Sequence, residues 1–394
     1  MSQARTYLDH NATSIMRPEV RDAMLDAFDA GGNPSSVHAE GRYARGLIDD
    51  AREKLAALVN AAPDEIIFTS GGSEANNHIL RQPWGSIIVT ATEHDSIMAP
   101  TRDVSAAERP QCAILPVDRD GRADLKVLGN LMAALITRDG PMLISIQMAN
   151  NETGILQDMN AIRERITEFV EANDPRNEDG SPKNIVFHSD AVQAAGKIPV
   201  DFKALGVDAI SLSAHKISGP KGIGALIKRK GLSLKPLING GGQEFGNRAG
   251  TENVAGIVGF GKAAELALAD LRRADEIAQT RDRLERDVKI IAPDTKFIGQ
   301  DADRLPNTST LAFPGVLAET QIIAFDLKGI AISAGAACSS GKVGRSRVLE
   351  AMQVHDNIAD TTIRVSLGWN TTAEDIDIFL AALPDIIGTN QRAA

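Results

Sequence analysis

Seven short runs rich in β-branched and aliphatic residues, each bounded by Gly, Asp or Pro, narrow the folds open to this chain: 66–70, 86–90, 113–117, 142–148, 185–189, 209–213 and 223–227. They read as buried strands. Helix-like segments separate several of them, notably 73–80, 161–172 and the stretch beginning at Pro18. An α/β domain with a mostly parallel seven-stranded sheet is therefore expected. Past Ala255 the pattern becomes one long polar amphipathic helix, about 259–290, rich in Arg, Asp and Glu. Short strands near 296–298, 309–313 and 362–366 follow, with helices near 318–327 and 373–383, which make a small α+β domain. A chain of 394 residues also exceeds the size at which one core stops growing. The expected division is a large domain, 16–260, and a small domain made of 1–15 and 261–394.

Composition excludes several classes. A net charge of −10 disfavours a nucleic-acid partner, because phosphate binding needs Lys and Arg clustered on one face. Two cysteines, Cys112 and Cys338, make neither a disulfide framework nor a Cys-rich metal site, so no metal is expected. Residues 1–7 lack the apolar run of a signal peptide, and no apolar stretch is long enough to span a bilayer. A soluble cytoplasmic enzyme with no membrane partner is the expectation.

The chemistry sits where strands end, the rim at which open α/β sheets bind ligands. Ser213-Ala214-His215-Lys216 follows the run 209–213. A lysine there is ordinarily solvated or ion-paired, but it is also placed to form a Schiff base. Asp190 closes the run 185–189, and Gln193 lies three residues on. Asp190 reads either as a helix N-cap or as the carboxylate that keeps a pyridinium nitrogen protonated. Gly71-Gly72-Ser73 stands between a strand and a helix, a plain strand-to-helix turn or a phosphate cradle of backbone N–H groups and a hydroxyl. His94 follows 86–90 and Asn151 follows 142–148. Five strand ends thus point at one crevice.

These motifs, with Tyr7-Leu8-Asp9-His10-Asn11-Ala12-Thr13, Gly32-Asn33-Pro34-Ser35-Ser36 and Gly219-Pro220-Lys221-Gly222-Ile223-Gly224, resemble the cysteine desulfurases of the class V aminotransferase family. That family belongs to the fold-type I pyridoxal-phosphate enzymes, and the resemblance spans almost the whole chain. It implies pyridoxal 5′-phosphate on Lys216, Asp190 at the pyridine nitrogen, Gln193 at the phenolic oxygen, His94 stacked on the ring and Asn151 beside it. It implies a phosphate held by Gly72, Ser73, Ser213 and His215, with Thr251 donated by the other subunit of a homodimer. It further implies Arg364 against the carboxylate of L-cysteine, a task suited to a guanidinium fork, assisted by Asn33 and Asn151. From residues alone, Arg364 in a short strand reads as an edge residue or a structural ion pair.

Cys112 lies among Ala, Ile and Leu and reads as structural. Cys338 lies among Gly, Ala and Ser, with Lys342 and Arg345 nearby to favour a thiolate. Its loop resembles that of the group I desulfurases, which serve nitrogen fixation or housekeeping iron–sulfur assembly. Lys216, His94 and Cys338 are thus the expected catalytic residues, Cys338 receiving the sulfur as a persulfide for an acceptor or iron–sulfur scaffold protein. Arg345-Ser346-Arg347 is more basic than expected of relatives, which bears on partner docking. A selenocysteine lyase, another class V aminotransferase and a non-enzymatic sulfur-transfer scaffold are the other readings.

Overall fold

The computed structural model describes residues 5–102, 111–136, 140–177, 180, 184–334 and 345–388. After a short N-terminal strand β1 (Thr6–Tyr7) come β2 (Ile66–Thr69), β3 (Ser86–Thr90), β4 (Gln111–Leu115), β5 (Met142–Ser145), β6 (Ile185–Asp190), β7 (Ala209–Ser213) and β8 (Gly224–Lys228). These last seven form one sheet in the order β2-β8-β7-β6-β5-β3-β4. Strands β4, β3, β5, β6 and β7 run parallel, and β8 runs antiparallel to β7 and to β2. The reversal at β8 has a simple cause. Only residues 214–223 join it to β7, fewer than a parallel crossover requires.

Helices cover both faces of this sheet, which is why β2, β3, β5 and β7 are buried at every position. Alternate side chains go to opposite layers. Ile66, Phe68 and Ile88 join Ile48, Leu55 and Phe260 from the helices Ala39–Val59 and Val254–Asp270. Ile67, Ile87 and Val89 meet Ala75 and Ile79 of the helix Gly72–Leu80 on the other side. The helix pair is close because Gly261 faces Ala51, where a Cβ would come within 2.5 Å of the Ala51 Cα.

One expectation is corrected. The helix foreseen over 259–290 is two helices, Val254–Asp270 and Ala274–Ile291, separated by a 3₁₀ turn at Leu271–Arg273. Its start is fixed by Asn253, whose side chain accepts from the Gly256 N–H. The first helix keeps Ala263, Ala264 and Ala267 in the large core, whereas the second buries Leu284 and Val288 in another. The break coincides with a change of both burying face and composition, from an Ala-, Gly- and Val-rich helix to an Arg-, Asp- and Glu-rich one.

The remaining strands are β9 (Lys296–Phe297), β10 (Thr308–Ala312), β11 (Ile330–Ala331), β12 (Ser333–Ala334) and β13 (Thr362–Ser366). An antiparallel sheet runs β12-β13-β10-β9, while β1 pairs in parallel with β11. Leu8 joins Leu311, Phe325, Val365 and Phe379 in the second core, the two phenyl rings stacked 4.7 Å apart. Ala263, Ala264 and Ala267, assigned on sequence to the small domain, pack in the large core instead. No helix among the described residues is long and apolar enough to cross a membrane.

The loop before the helix Val254–Asp270 is anchored by a buried ion pair. Arg52 donates to both carboxylate oxygens of Glu244, at 2.8 and 3.0 Å, and to the Ile66 carbonyl, while Glu244 also accepts from the Phe68 N–H. Both side chains are almost fully buried. Replacing Glu244 by Ala strands a buried guanidinium, a class of change that costs about 3–5 kcal/mol. Urea unfolding of Glu244→Ala is therefore expected to show a clearly lowered midpoint, larger than that of any exposed ion-pair variant such as Lys230→Ala.

Candidate active site

Strands β3, β5, β6 and β7 are parallel, and β2 points the same way because two antiparallel steps relate it to β7. Their C-terminal ends therefore open on one side of the sheet. A cavity of about 370 Å³ lies there, and it brings together Gly72, Ser73, His94, Asn151, Asp190, Gln193, Ser213, His215, Lys216 and Arg364. Asn33 and Thr251 are exposed and do not line it. Cys338 and Lys342 lie outside the described residues.

Lys216 ends a 3₁₀ turn directly after β7, and its Nζ donates to the main-chain carbonyls of Asn11 and Ala12 at 2.6 and 2.9 Å. Those acceptors come from the segment that crosses in from β1. Asp190 closes β6 and is buried. One carboxylate oxygen accepts from Asn76 at 2.7 Å and the other from the Val192 N–H at 2.9 Å. Among the described residues no Lys or Arg pairs with it, so its charge faces the cavity without a fixed counterion.

His94 sits on the loop after β3. Its Nδ1 accepts from the Ser96 N–H at 3.1 Å and lies 2.8 Å from the Ser96 hydroxyl. The neutral ring then carries its proton on Nε2. Burial, opposed by the Asp190 charge and aided by Lys216, holds the His94 pKa below the usual imidazole value. His215 is drawn down to about 4 by burial and then by Lys216, Lys221 and Lys197. Glu93, fully enclosed next to His94, is pushed up to about 8 by burial against its bonds from Thr90 and the Gln147 N–H. Lys216 and Arg364 thus bring the positive charge to this wall, while His94, His215 and Glu93 are shifted toward their neutral forms.

The helix Gly72–Leu80 starts at the cavity, with its first N–H groups unclaimed by the helix itself. A Cβ on Gly72 would come within 2.9 Å of the Val192 side chain, so the backbone approaches this wall as only glycine permits. Ser73, Ser213 and His215 flank that start, and His215 Nδ1 lies 3.1 Å from the Thr13 hydroxyl.

On the opposite wall Arg364 occupies the middle strand, β13, and is 1% exposed. Its Nη2 donates to Asp9 at 2.7 Å and its Nη1 to the Asn151 carbonyl at 2.8 Å, while Nε has no partner among the described residues. Edge placement is thus excluded, whereas an ion pair and a place in the cavity wall coexist. The basic stretch before the helix Arg347–Ala351 is taken up internally: Arg347 donates to Asp95 at 2.6 Å and to the Glu93 carbonyl at 2.7 Å, and Arg345 pairs with Asp356 at 2.9 Å. Cys112 is half-buried on the edge strand β4, against the layer of Ile87 and Val89.

Sequence reasoning missed Asn11, Asn76, Gln147 and Lys197. Asn76 had a legible signal, since it stands one turn after Gly72 on the same helix. Asn11 had none for its main-chain role, because any residue supplies a carbonyl.

The family model "Aminotransferase class-V" matches residues 6–379. The chain is 41% identical to "Cysteine desulfurase IscS" of Dictyoglomus turgidum over 390 residues, 97% of this chain and 94% of that one. It is also 41% identical to "Cysteine desulfurase" of Cereibacter sphaeroides over 391 residues, 97% and 96% of the two chains. Among solved structures, a NifS-like protein from Rickettsia africae superposes with a TM-score of 0.86 at 34% identity, covering 98% of this chain and all of that one.

Proposed function

Because the chain belongs to the class V aminotransferase family and, within it, to the cysteine desulfurases, we propose that it converts L-cysteine to L-alanine and passes the sulfur to Cys338 for iron–sulfur cluster or other cofactor assembly. One observation carries this reading: Lys216, Asp190, His94 and Arg364, from four separate elements, line a single cavity.

That cavity suits pyridoxal 5′-phosphate. The glycine-lined helix start with Ser73, Ser213 and His215 fits a phosphate, and the buried Asp190 carboxylate, without an ion-pair partner among the described residues, fits a protonated ring nitrogen. Gln193 would meet the phenolic oxygen, with Asn151 beside it. When bound, the cofactor supplies an aldehyde for Schiff-base linkage and a ring that takes up the electron pair left at the substrate Cα.

The protein's own groups do the rest. Lys216 would hold the aldehyde, and its amine, when free, would move the proton at the substrate Cα. Arg364, oriented by Asp9, would grip the substrate carboxylate, with Asn33 and Asn151 assisting. His94 stays neutral and offers its Nε2 proton within the cavity. The Cys338 thiolate attacks the sulfur of L-cysteine: an S–S bond forms, the Cβ–S bond breaks with its electron pair passing to carbon, and protonation completes L-alanine. No external oxidant is needed, because the two electrons given up in forming the persulfide are taken by the substrate Cβ, which becomes the methyl group of L-alanine.

Exposed Thr251, near Phe245, which is 62% exposed, supports a homodimer in which the partner subunit donates that hydroxyl to the phosphate. The acidic charge and two cysteines support a cytoplasmic setting, with a scaffold or acceptor protein collecting the persulfide. The test is direct: purified protein is expected to be yellow and to release sulfide and L-alanine in equal amounts from L-cysteine plus a reducing thiol. A colourless preparation that does not respond to added pyridoxal 5′-phosphate would overturn the reading.

A further inference from the structure

A second lysine lies beside Lys216, and the reaction so far gives it no task. Lys197 follows Gln193 by four residues, and its Nζ lies 2.6 Å from Gln193 Oε1 and 3.0 Å from Asn11 Oδ1. Both amides have their orientation fixed from the far side. Gln193 Nε2 donates to the Asn11 main-chain carbonyl at 3.0 Å, and Asn11 Nδ2 donates to the Asn151 carbonyl at 3.2 Å. A carbonyl only accepts, so the nitrogens are identified and the two amide oxygens must face Lys197. Lys197 therefore donates to both. Asn11 is in turn the residue whose main-chain oxygen accepts from Lys216.

We propose that Lys197 is a positioning residue: by holding the side-chain oxygens of Gln193 and Asn11, it keeps the Gln193 NH₂ turned toward the cavity and steadies the carbonyl that seats Lys216. This deepens the pyridoxal-phosphate reading and rests on it. With Lys197 in place, Gln193 can offer the phenolic oxygen only a donor. Without Lys197 the Gln193 oxygen loses its partner and the amide is held only through the Nε2 bond to the Asn11 carbonyl, so a flip that turns an acceptor toward an oxyanion costs less.

Burial, and then the cations Lys216 and Arg364, hold the Lys197 pKa well below the ordinary lysine value. The arrangement does not depend on its charge, because two donors suffice and a neutral amine has two.

The test compares the holoenzyme with Lys197→Met, Lys197→Arg and Gln193→Leu, alone and combined. Lys197→Met is expected to shift the pH midpoint of the cofactor's visible band, to weaken pyridoxal-phosphate binding by apoenzyme severalfold, and to lower kcat roughly tenfold, the scale of one lost hydrogen bond. KM for L-cysteine should change less than about twofold, since the Arg364 contacts are untouched. Lys197→Arg should restore the spectrum in part. In the Gln193→Leu background, Lys197→Met should add no further spectral shift. If Lys197→Met does not fold, Lys197→Gln takes its place in each measurement. A parent-like spectrum and kcat, or fully additive spectral shifts, would overturn the proposal. Parent enzyme with no visible band at all would instead refute the cofactor reading beneath it.

Discussion

Purified Lys216→Ala is expected to lack the absorbance band of lysine-bound cofactor and to form L-alanine from L-cysteine at least about 10³-fold more slowly than the parent. The size follows from the two tasks united in one amine, since a positioned general base alone is worth roughly 10²–10⁴-fold. The geometry makes the variant informative as well as inactive. Lys216 ends a short rim turn, its Nζ bonds the carbonyls of Asn11 and Ala12, and it belongs to neither hydrophobic core, so the cores keep their contacts. Circular dichroism and unfolding midpoint should stay near parent values. An unchanged visible spectrum would remove Lys216 as the cofactor-bearing residue.

Cys338→Ser should separate the two halves of the reaction. The yellow colour and the spectral response to L-cysteine are expected to persist, because the groups lining the cavity are intact. Sulfide and L-alanine production should fall to background when no thiol other than the substrate is present. A serine hydroxyl has no sulfur-accepting chemistry, so the Cβ–S bond has no nucleophile to receive it. Mass spectrometry of parent enzyme after brief exposure to L-cysteine should find one added sulfur on the peptide containing Cys338 and none on that containing Cys112. Full turnover in Cys338→Ser would show that sulfur leaves by another route.

Much of the cavity was readable from the chain because its functional groups follow strands, and strands announce themselves by short aliphatic runs. Asp190, Ser213, His94 and Asn151 were each found by asking what comes after such a run. What escaped was carried by groups without a side-chain signature or by tertiary register. Asn11 and Ala12 hold Lys216 through carbonyl oxygens that every residue possesses. Lys197 is an ordinary surface-type residue until the fold turns it toward two amides. Arg364 looked like an edge residue because a five-residue strand carries no mark of its neighbours, yet β10 and β12 flank it. The helix break at Leu271–Arg273 went unread although the sequence changes there from the apolar Val254–Asp270 to the charged Ala274–Ile291, and the two helices face different cores.

The crossing of residues 6–12 also sets the order in which a newly made enzyme can come alive. β1 pairs with β11, Asp9 pairs with Arg364, and the Ser366 N–H donates to the Leu8 carbonyl, so the start of this segment is held by residues made late, while Asn11 is also held by Asn151, Gln193 and Lys197. At about 5–20 residues per second, the ribosome needs roughly 20–70 s to travel from Ala12 to Ser366. The sheet can assemble meanwhile, but the pairing of β1 with β11 and of Asp9 with Arg364 waits for β11 and β13. Arg364 thus receives its Asp9 partner only after every rim motif of the large sheet has been made.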